Sequence, residues 1–218
     1  TFSEGLEAYA YGPLIDKYRP RVIDLGRDDN IEVKGYDRDL RPLSLRMART
    51  MAESDYLISV GPPKTHDTVN VTLSLKNVIV GALSPPGQRR RFHQGYQAVN
   101  LTLFKLAAHV APDLAIIDGF QAMEGNGPVG GDPVDWRIAI ASTDFLAADS
   151  LALQLMGFSL EEIGYLYYCQ IKGLGQGNVE DMELVGNATI AEVQRTFKPH
   201  TSYQRQLEWK VPDVERYL

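Results

Sequence analysis

The chain has 218 residues, of which 44% are hydrophobic and 23% charged, and its formal net charge is −6. This composition excludes an intrinsically disordered protein, and a globular chain of this length buries roughly 70% of its unfolded surface. The negative charge argues against general nucleic-acid binding, because the phosphate backbone requires many neutralising cations. The single cysteine, Cys169, fits a reducing compartment, and no apolar run reaches the roughly 18 residues of a membrane span. We therefore predict a cytoplasmic protein that does not bind membranes.

The apolar pattern predicts alternating strands and helices. In chain order, strands are predicted at residues 22–25, 55–60, 114–118, 137–142 and 182–185, and helices at residues 43–51, 96–110, 144–156, 160–172 and 189–197. Residues 26–42 and the Gly-rich residues 119–133 are predicted loops, while residues 68–83 fit either a strand or a helix. The alternation favours an α/β fold with a mainly parallel or mixed central sheet and helices on both faces. We predict a single α/β domain over residues 1–198 and a peripheral tail over residues 199–218.

The charges are unevenly distributed along the chain. Residues 51–110 carry six Lys and Arg against three Asp and Glu, a net charge of +3, whereas residues 111–218 carry seven against sixteen, a net charge of −9. The basic segment also holds two of the four histidines, His66 and His93. A cation-rich segment in an acidic chain attracts anionic ligands, and histidine titrates near neutral pH. We expect a binding site for a small anion in this segment.

Two loops are expected to form this site: the loop that carries Lys64, Thr65 and His66, and the Gly-rich loop of residues 119–133. In open α/β sheets, ligands bind beyond the carboxyl ends of the strands. If the strands at residues 55–60 and 114–118 are neighbours, Lys64 and His66 face Asp118 and Glu124 across one crevice.

Residue chemistry assigns roles within the crevice. Lysine supplies a positive charge or, when desolvated, a base, and histidine exchanges protons or binds a metal. The candidate catalytic residues are His66, His93, Lys76 and Asp118. The candidate substrate-binding residues are Lys64, Thr65, Asn77, Arg91, Glu124 and Gly125. His66, His93 and Asp118 also match a two-histidine, one-carboxylate metal site, so a divalent metal stays open as an alternative, although the nearby cations oppose it.

Several of these residues also have a purely structural interpretation. His66 follows Thr65 in a turn and can cap a backbone group, and the Arg89–Arg91 run fits a solvated loop. Glu124 fits a solvated acid in a Gly-rich loop. Asp144 is expected to be the N-cap of the helix that follows it.

The ordered motifs resemble those of one protein family, over about residues 20–200. The motifs are Pro63-Lys64-Thr65-His66, Thr72-Leu73-Ser74-Leu75-Lys76-Asn77, His93, Ile116-Ile117-Asp118-Gly119, Met123-Glu124-Gly125-Asn126-Gly127-Pro128 and Ser142-Thr143-Asp144. Their order and spacing resemble domain of unknown function family 362. The resemblance implies an uncharacterised prokaryotic protein from a family whose members often carry ferredoxin-type iron-sulfur motifs. With one cysteine, this chain ligates no such cluster by four thiolates. The opening strand and helix that the resemblance implies are missing, and we interpret the chain as a trimmed piece or a short member.

Two functions remain open from the sequence. The first is an enzyme that binds a small carboxylate or phosphate in a crevice of Lys and His and performs acid–base or redox chemistry. The second is a non-catalytic scaffold or electron-transfer module that works with a ferredoxin-like iron-sulfur protein.

Overall fold

The computed structural model describes residues 2–218, and its strands form two sheets. The first sheet is an antiparallel hairpin of β1 (Asn30–Tyr36) and β2 (Pro42–Ala48). In the turn between them, the carboxylate of Asp37 accepts hydrogen bonds from the amides of Asp39 and Arg41, both at 2.9 Å. Such local side-chain-to-backbone bonds favour a turn, and they fix the register of the two strands.

The second sheet has five strands and places the candidate site. Its central strand is β6 (Leu114–Glu124), and β7 (Asp132–Ser142) pairs antiparallel with it along one edge. Along the other edge, β3 (Ile58–Gly61) and β4 (Lys64–His66) follow each other, both parallel to β6. The last strand, β5 (Asn70–Thr72), pairs antiparallel with β4. The sheet is therefore mixed, as predicted.

Ten helices complete the fold in residues 2–218. They are α1 (Phe2–Ala8), α2 (Gly12–Tyr18), α3 (Arg49–Ala52), α4 (Ser74–Ala82), α5 (Gly87–Phe92), α6 (Tyr96–Val110), α7 (Phe145–Met156), α8 (Gly164–Ile171), α9 (Ile190–Val193) and α10 (Tyr203–Gln206). Several 3-10 turns join them. Within residues 2–218, no helix combines the length and the apolarity that crossing a membrane requires.

The main core lies between the five-stranded sheet and its helices. Ile117 and Ile140 face this core, together with apolar side chains of α4, α6 and α7. On the opposite face of the sheet, Ile58, Val60 and Phe120 are 54%, 57% and 62% exposed. The α/β class is confirmed, and the helices that contact the sheet in residues 2–218 lie on one face.

Several predicted elements are confirmed. The strands at residues 114–118 and 137–142 form, the strand predicted at residues 55–60 forms over Ile58–Gly61, and the helix at residues 96–110 has the expected bounds. The predicted helix at residues 144–156 begins after Asp144, whose carboxylate accepts hydrogen bonds from Leu146 N at 2.9 Å and Ala147 N at 3.0 Å.

Other predicted elements are wrong. Residues 26–51 form the β1–β2 hairpin and the single turn α3 instead of a loop and a helix, and residues 22–25 and 182–185 form no strand. Residues 119–124 continue β6 because they pair with β7. Gly119 fits there because a Cβ at this position would lie 2.7 Å from the side chain of Ile138. Residues 68–83, which fit either a strand or a helix, contain the strand β5 followed by the helix α4.

The C-terminal residues are not peripheral, in contrast to the expectation from the sequence. Gln206 and Trp209 are almost completely buried, and Trp209 packs with Tyr36, Leu101 and Tyr168 in a second core cluster. The polar composition of residues 199–218 hides this role, because Gln206 is buried through hydrogen bonds with its side chain rather than through apolar contact.

We expect the N-cap of α7 to contribute to stability. Asp144→Ala removes an acceptor for two helix amides and for Gln176 N, which lies 2.7 Å from Asp144 Oδ2. The free energy of unfolding should fall by about 0.5–2 kcal/mol. Urea denaturation measures the change. Asp118→Ala, at an exposed position in β6, should change the free energy of unfolding by less than about 0.5 kcal/mol. Equal losses in the two variants would contradict this role of Asp144.

Candidate functional site

A buried Lys–His pair occupies the start of α4 and the end of β4. Lys76 Nζ lies 2.9 Å from His66 Nε2, and both side chains are buried, with 4% and 3% of the residue exposed. Lys76 is the third residue of α4, so the positive end of the helix dipole adds to the cost of its charge. Lysine is rarely buried without a partner, and this contact is therefore a strong departure from ordinary packing.

The start of α4 is held in place by a carboxylate from another helix. Asp149 in α7 is completely buried and accepts hydrogen bonds from Ser74 N at 2.8 Å and Leu75 N at 3.1 Å. The residue before α4, Leu73, has no side-chain acceptor. Asp149 thus satisfies helix amides that would otherwise be unpaired, and it fixes the backbone from which Lys76 extends.

The hairpin of β4 and β5 fixes the histidine. His66 pairs with Asn70, which adopts a left-handed φ of 62° that asparagine tolerates. Gln206 from α10 closes the hairpin, because its Nε2 donates to His66 O at 2.8 Å and its Oε1 accepts from Asn70 N. His66 is therefore held at its backbone by Gln206 and contacted at its ring by Lys76.

Burial shifts the pKa of both members of the pair. Desolvation lowers the pKa of Lys76 to about 7, with the charge of Lys64 acting in the same direction and that of Asp67 opposing it. Desolvation also lowers the pKa of His66 to about 4, and the hydrogen bond with Asp67 opposes this shift. Near neutral pH, His66 is neutral and Lys76 is divided between its amine and ammonium forms.

The contacts of His66 allow two arrangements of protons. His66 Nδ1 lies 3.0 Å from Asp67 Oδ1 and also 3.0 Å from Thr68 N. A protonated Nδ1 donates to Asp67, which leaves a lone pair on Nε2 for the ammonium group of Lys76. When Lys76 is an amine, Nε2 can carry the proton and Nδ1 can accept from Thr68 N. The protonation of Lys76 is thus linked to the tautomer of His66.

The neighbours of the pair that reach the surface are Lys64 and Asp67. Lys64 is half-buried, and burial lowers the pKa of its ammonium group. The Asp67 side chain is 53% exposed, and its hydrogen bond with His66 holds the pKa of the carboxyl below its ordinary value. His93 is exposed, and its charge contributes to the lowered pKa of His66. We call Lys64, His66, Asp67 and Lys76 the Lys–His site.

Other predicted site residues hold the fold together. The buried Thr65 donates from Oγ1 to Gly125 O at 2.9 Å. Gly125 N donates to Lys198 O at 2.7 Å, and Glu124 Oε2 accepts from Lys198 N at 3.0 Å. Asn77 Nδ2 lies 3.5 Å from Val60 O. Their polar groups are engaged by the backbone, although Asn77 and Glu124 remain partly exposed.

Two predicted site residues lie elsewhere. Arg91 is exposed and donates from Nε to Ser44 O in β2 at 2.9 Å. Asp118 lies in the middle of β6, and its exposed carboxylate accepts from Phe120 N at 3.1 Å. Met123, further along β6, pairs with Lys64, so Asp118 is roughly 16 Å from the Lys–His site along the strand. The expectation that Asp118 lies beside His66 is wrong because β6 continues beyond residue 118.

The proposed metal ligands also do not converge. In the described part of the chain, no three His, Cys, Asp or Glu side chains lie close enough together to hold a metal ion. His66 has Lys76 on one ring nitrogen and Asp67 and Thr68 at the other.

Neither Asp67 nor Gln206 was predicted from the sequence as a site residue. Asp67 directly follows His66, and this adjacency is a signal that sequence inspection could have used. Gln206 lies 140 residues from His66 along the chain, and only the tertiary structure brings them together.

We expect Lys76 to make stability depend on pH. Between pH about 7 and the ordinary lysine pKa of 10.5, the unfolded chain holds a proton that the folded protein lacks. Raising the pH in this window therefore stabilises the folded protein. Relative to Lys76→Met, the free energy of unfolding of the wild type should rise from pH 7 to pH 10 and stay level below pH 7. Urea denaturation across this range measures it, with Lys172→Met as an exposed control. Parallel pH profiles for wild type and Lys76→Met would show that Lys76 has an ordinary pKa.

We expect the negative charge of Asp67 to stabilise the protonated forms of His66 and Lys76. Asp67→Asn removes a charge that raises the pKa of His66 and of Lys76, so both values should fall. NMR titration of the His66 imidazole and of isotope-labelled lysine side chains measures both. Unchanged values in Asp67→Asn would remove Asp67 from the site.

Comparison with known proteins gives the family. The family model described as "Domain of unknown function (DUF362)" matches residues 2–154. A thylakoid-associated protein of Synechocystis is 30% identical over 178 residues, which are 78% of this chain and 50% of that protein. The chain thus spans about half the length of this relative. No solved structure matches. The chain belongs to domain of unknown function family 362, as the order of its motifs predicted.

Proposed function

We propose that this domain is an enzyme that binds a small carboxylate or phosphate at the Lys–His site and transfers a proton with Lys76. The observation that carries the proposal is the 2.9 Å contact between Lys76 Nζ and His66 Nε2 in a buried environment. Buried ionisable groups with strongly shifted pKa values concentrate at functional sites, because stability alone rarely favours them. A lysine with a pKa near 7 is suited to be a general base or acid at physiological pH.

The role of each residue follows from its position. Lys64 provides positive charge near the surface, where an anionic substrate arrives. Binding of the anion brings a proton from the solvent to Lys76, and the resulting ammonium ion is the general acid that donates a proton to the substrate. His66 then accepts a hydrogen bond from the ammonium through Nε2, and its Nδ1–H donates to Asp67. The negative charge of Asp67 stabilises the positive charge that reaches Lys76.

An anion and the proton of Lys76 should stabilise each other. An anion close to Lys64 and Lys76 raises the pKa of Lys76, so binding should take up protons near and above pH 7. The affinity for the anion should fall as the pH rises through about 7. This linkage separates a functional ammonium group from a lysine that only fills space.

We expect the affinity for a small anion to depend on pH and on the presence of Lys76. Isothermal titration calorimetry with inorganic phosphate, malonate and citrate, in two buffers of different ionisation enthalpy, measures both affinity and proton uptake. Wild type should bind at least one of these anions with proton uptake. Lys76→Met should bind it more weakly and without proton uptake.

Two further variants sharpen the test. Lys64→Gln should lower the affinity and keep the proton uptake, because Lys76 is still present. Lys172→Gln, an equal change of charge at an exposed position, should bind like wild type. If none of the three anions binds, or if proton uptake persists in Lys76→Met, the proposal fails. The non-catalytic module then becomes the better hypothesis.

A further inference from the structure

A cleft of about 1040 Å³ lies along β7, which pairs with the opposite edge of β6 from the strand β4 that carries the Lys–His site. One wall consists of residues 137–142 of β7, without interruption, and the facing wall consists of residues 182–193. Neighbouring residues of a strand point to opposite faces of the sheet, so a cleft lined by every residue of a stretch faces the edge of the strand. The cleft therefore opens onto the backbone of β7.

The outer edge of β7 has no partner strand. In the part of the chain that the structure describes, β7 pairs with β6 alone. No other backbone–backbone hydrogen bond within residues 2–218 involves residues 137–142. An edge of this kind presents N–H and C=O groups at regular intervals, and proteins commonly cover or blunt such edges. Here the facing wall leaves the edge open.

The facing wall is anchored at both ends. Gln176 N donates to Asp144 Oδ2 at 2.7 Å just before the wall begins. At the other end, the Trp136 indole donates to Val193 O at 2.7 Å, and Arg195 N donates to Leu155 O at 2.8 Å. Between these anchors Val185 is 89% exposed. The facing wall is therefore attached to α7 and β7 at its ends, and Val185 between them is exposed.

The floor of the cleft is apolar, and the facing wall carries two acidic residues. Side chains of α7 form the floor: Ala147, Ala148, Leu151 and Leu155. Glu183 and Glu192 lie on the facing wall. Arg137 on the strand wall is paired with Asp135 at 2.8 Å, so the unbalanced charge is negative. The cleft suits a ligand that is apolar along its length and positively charged.

We propose that β7 binds an extended peptide of a partner protein as an added sixth strand. The peptide has alternating apolar residues, which face the floor of the cleft, and Lys or Arg residues that meet Glu183 and Glu192. A stretch of six residues presents an edge roughly 20 Å long, and an added strand lies about 4.8 Å from β7. Backbone hydrogen bonds supply affinity and the alternating side chains supply specificity, as in other cases of strand addition.

A synthetic peptide tests the proposal directly. The probe is a fluorescein-labelled peptide with Lys at both ends and six alternating Val and Thr residues between them. Fluorescence anisotropy with the whole chain should show saturable binding. Hydrogen–deuterium exchange should show new protection at residues 137–142. The same peptide with N-methyl groups on alternate residues should bind far more weakly, because it cannot form the ladder.

Charge reversal in the cleft tests the role of its acidic wall, and the same change outside the cleft is the matched control. Glu183→Lys should weaken binding of the Lys-flanked probe by about threefold, since exposed charge pairs contribute little individually. Glu208→Lys, the same change at an exposed position outside the cleft, should not. The proposal is overturned if the probe does not bind, if protection appears away from residues 137–142, or if the N-methylated peptide binds equally well. Loss of anion binding in Lys76→Met leaves this result unaffected, so the two proposals fail independently.

Discussion

The carboxylate of Asp149 at the start of α4 is the interaction on which the Lys–His site depends. It accepts from two helix amides, at 2.8 Å and 3.1 Å, in a completely buried position. Without it, the amides of Ser74 and Leu75 would be buried without a partner, at a cost of about 1–3 kcal/mol for each. Lys76 follows directly in the same turn, so its depth and direction are set by this cap. The contact with His66 therefore rests on a hydrogen bond between two helices.

Burial explains three unusual titrations by one cause. Desolvation disfavours the charged form of any group, so it lowers the pKa of Lys76 and His66 and raises the pKa of Asp149 to about 6. Lys76, with a pKa of about 7, can exist in both charge states near neutral pH. The site thus combines a lysine that readily exchanges its proton with a neutral histidine beside it. Asp67, held ionised by its contact with His66, supplies the negative charge that keeps the ammonium form accessible.

The two edges of β6 lead to surfaces of opposite electrical character. β4, on one edge, carries Lys64 and His66 from the segment with net charge +3, and we assign an anion to that side. β7, on the other edge, opens onto a cleft whose facing wall belongs to the segment with net charge −9. The residues that line the two sites therefore differ in charge.

Local patterns were sufficient for the elements whose signals are local. The 3.6-residue spacing of Val99, Leu103, Leu106 and Val110 defined α6, and the N-cap chemistry of Asp144 defined the start of α7. The prediction for residues 26–51 failed because it did not use the alternation of apolar and polar residues in the two strands, which places Val33, Leu45 and Met47 in the core. The prediction that Asp118 lies beside His66 failed because the length of β6 is set by its pairing with β7, and not by its own sequence.

The sequence by itself determined the family, the mixed α/β class and the basic segment that contains Lys64, His66 and Lys76. Motif order, hydrophobic period and charge are properties of the chain alone, so they can be read from the sequence without knowledge of tertiary contacts. The tertiary structure decided that Lys76 touches His66, that Gln206 closes the β4–β5 hairpin, and that Asp118 lies elsewhere. It also decided the pKa values, because desolvation depends on how many atoms from remote parts of the chain surround a charge.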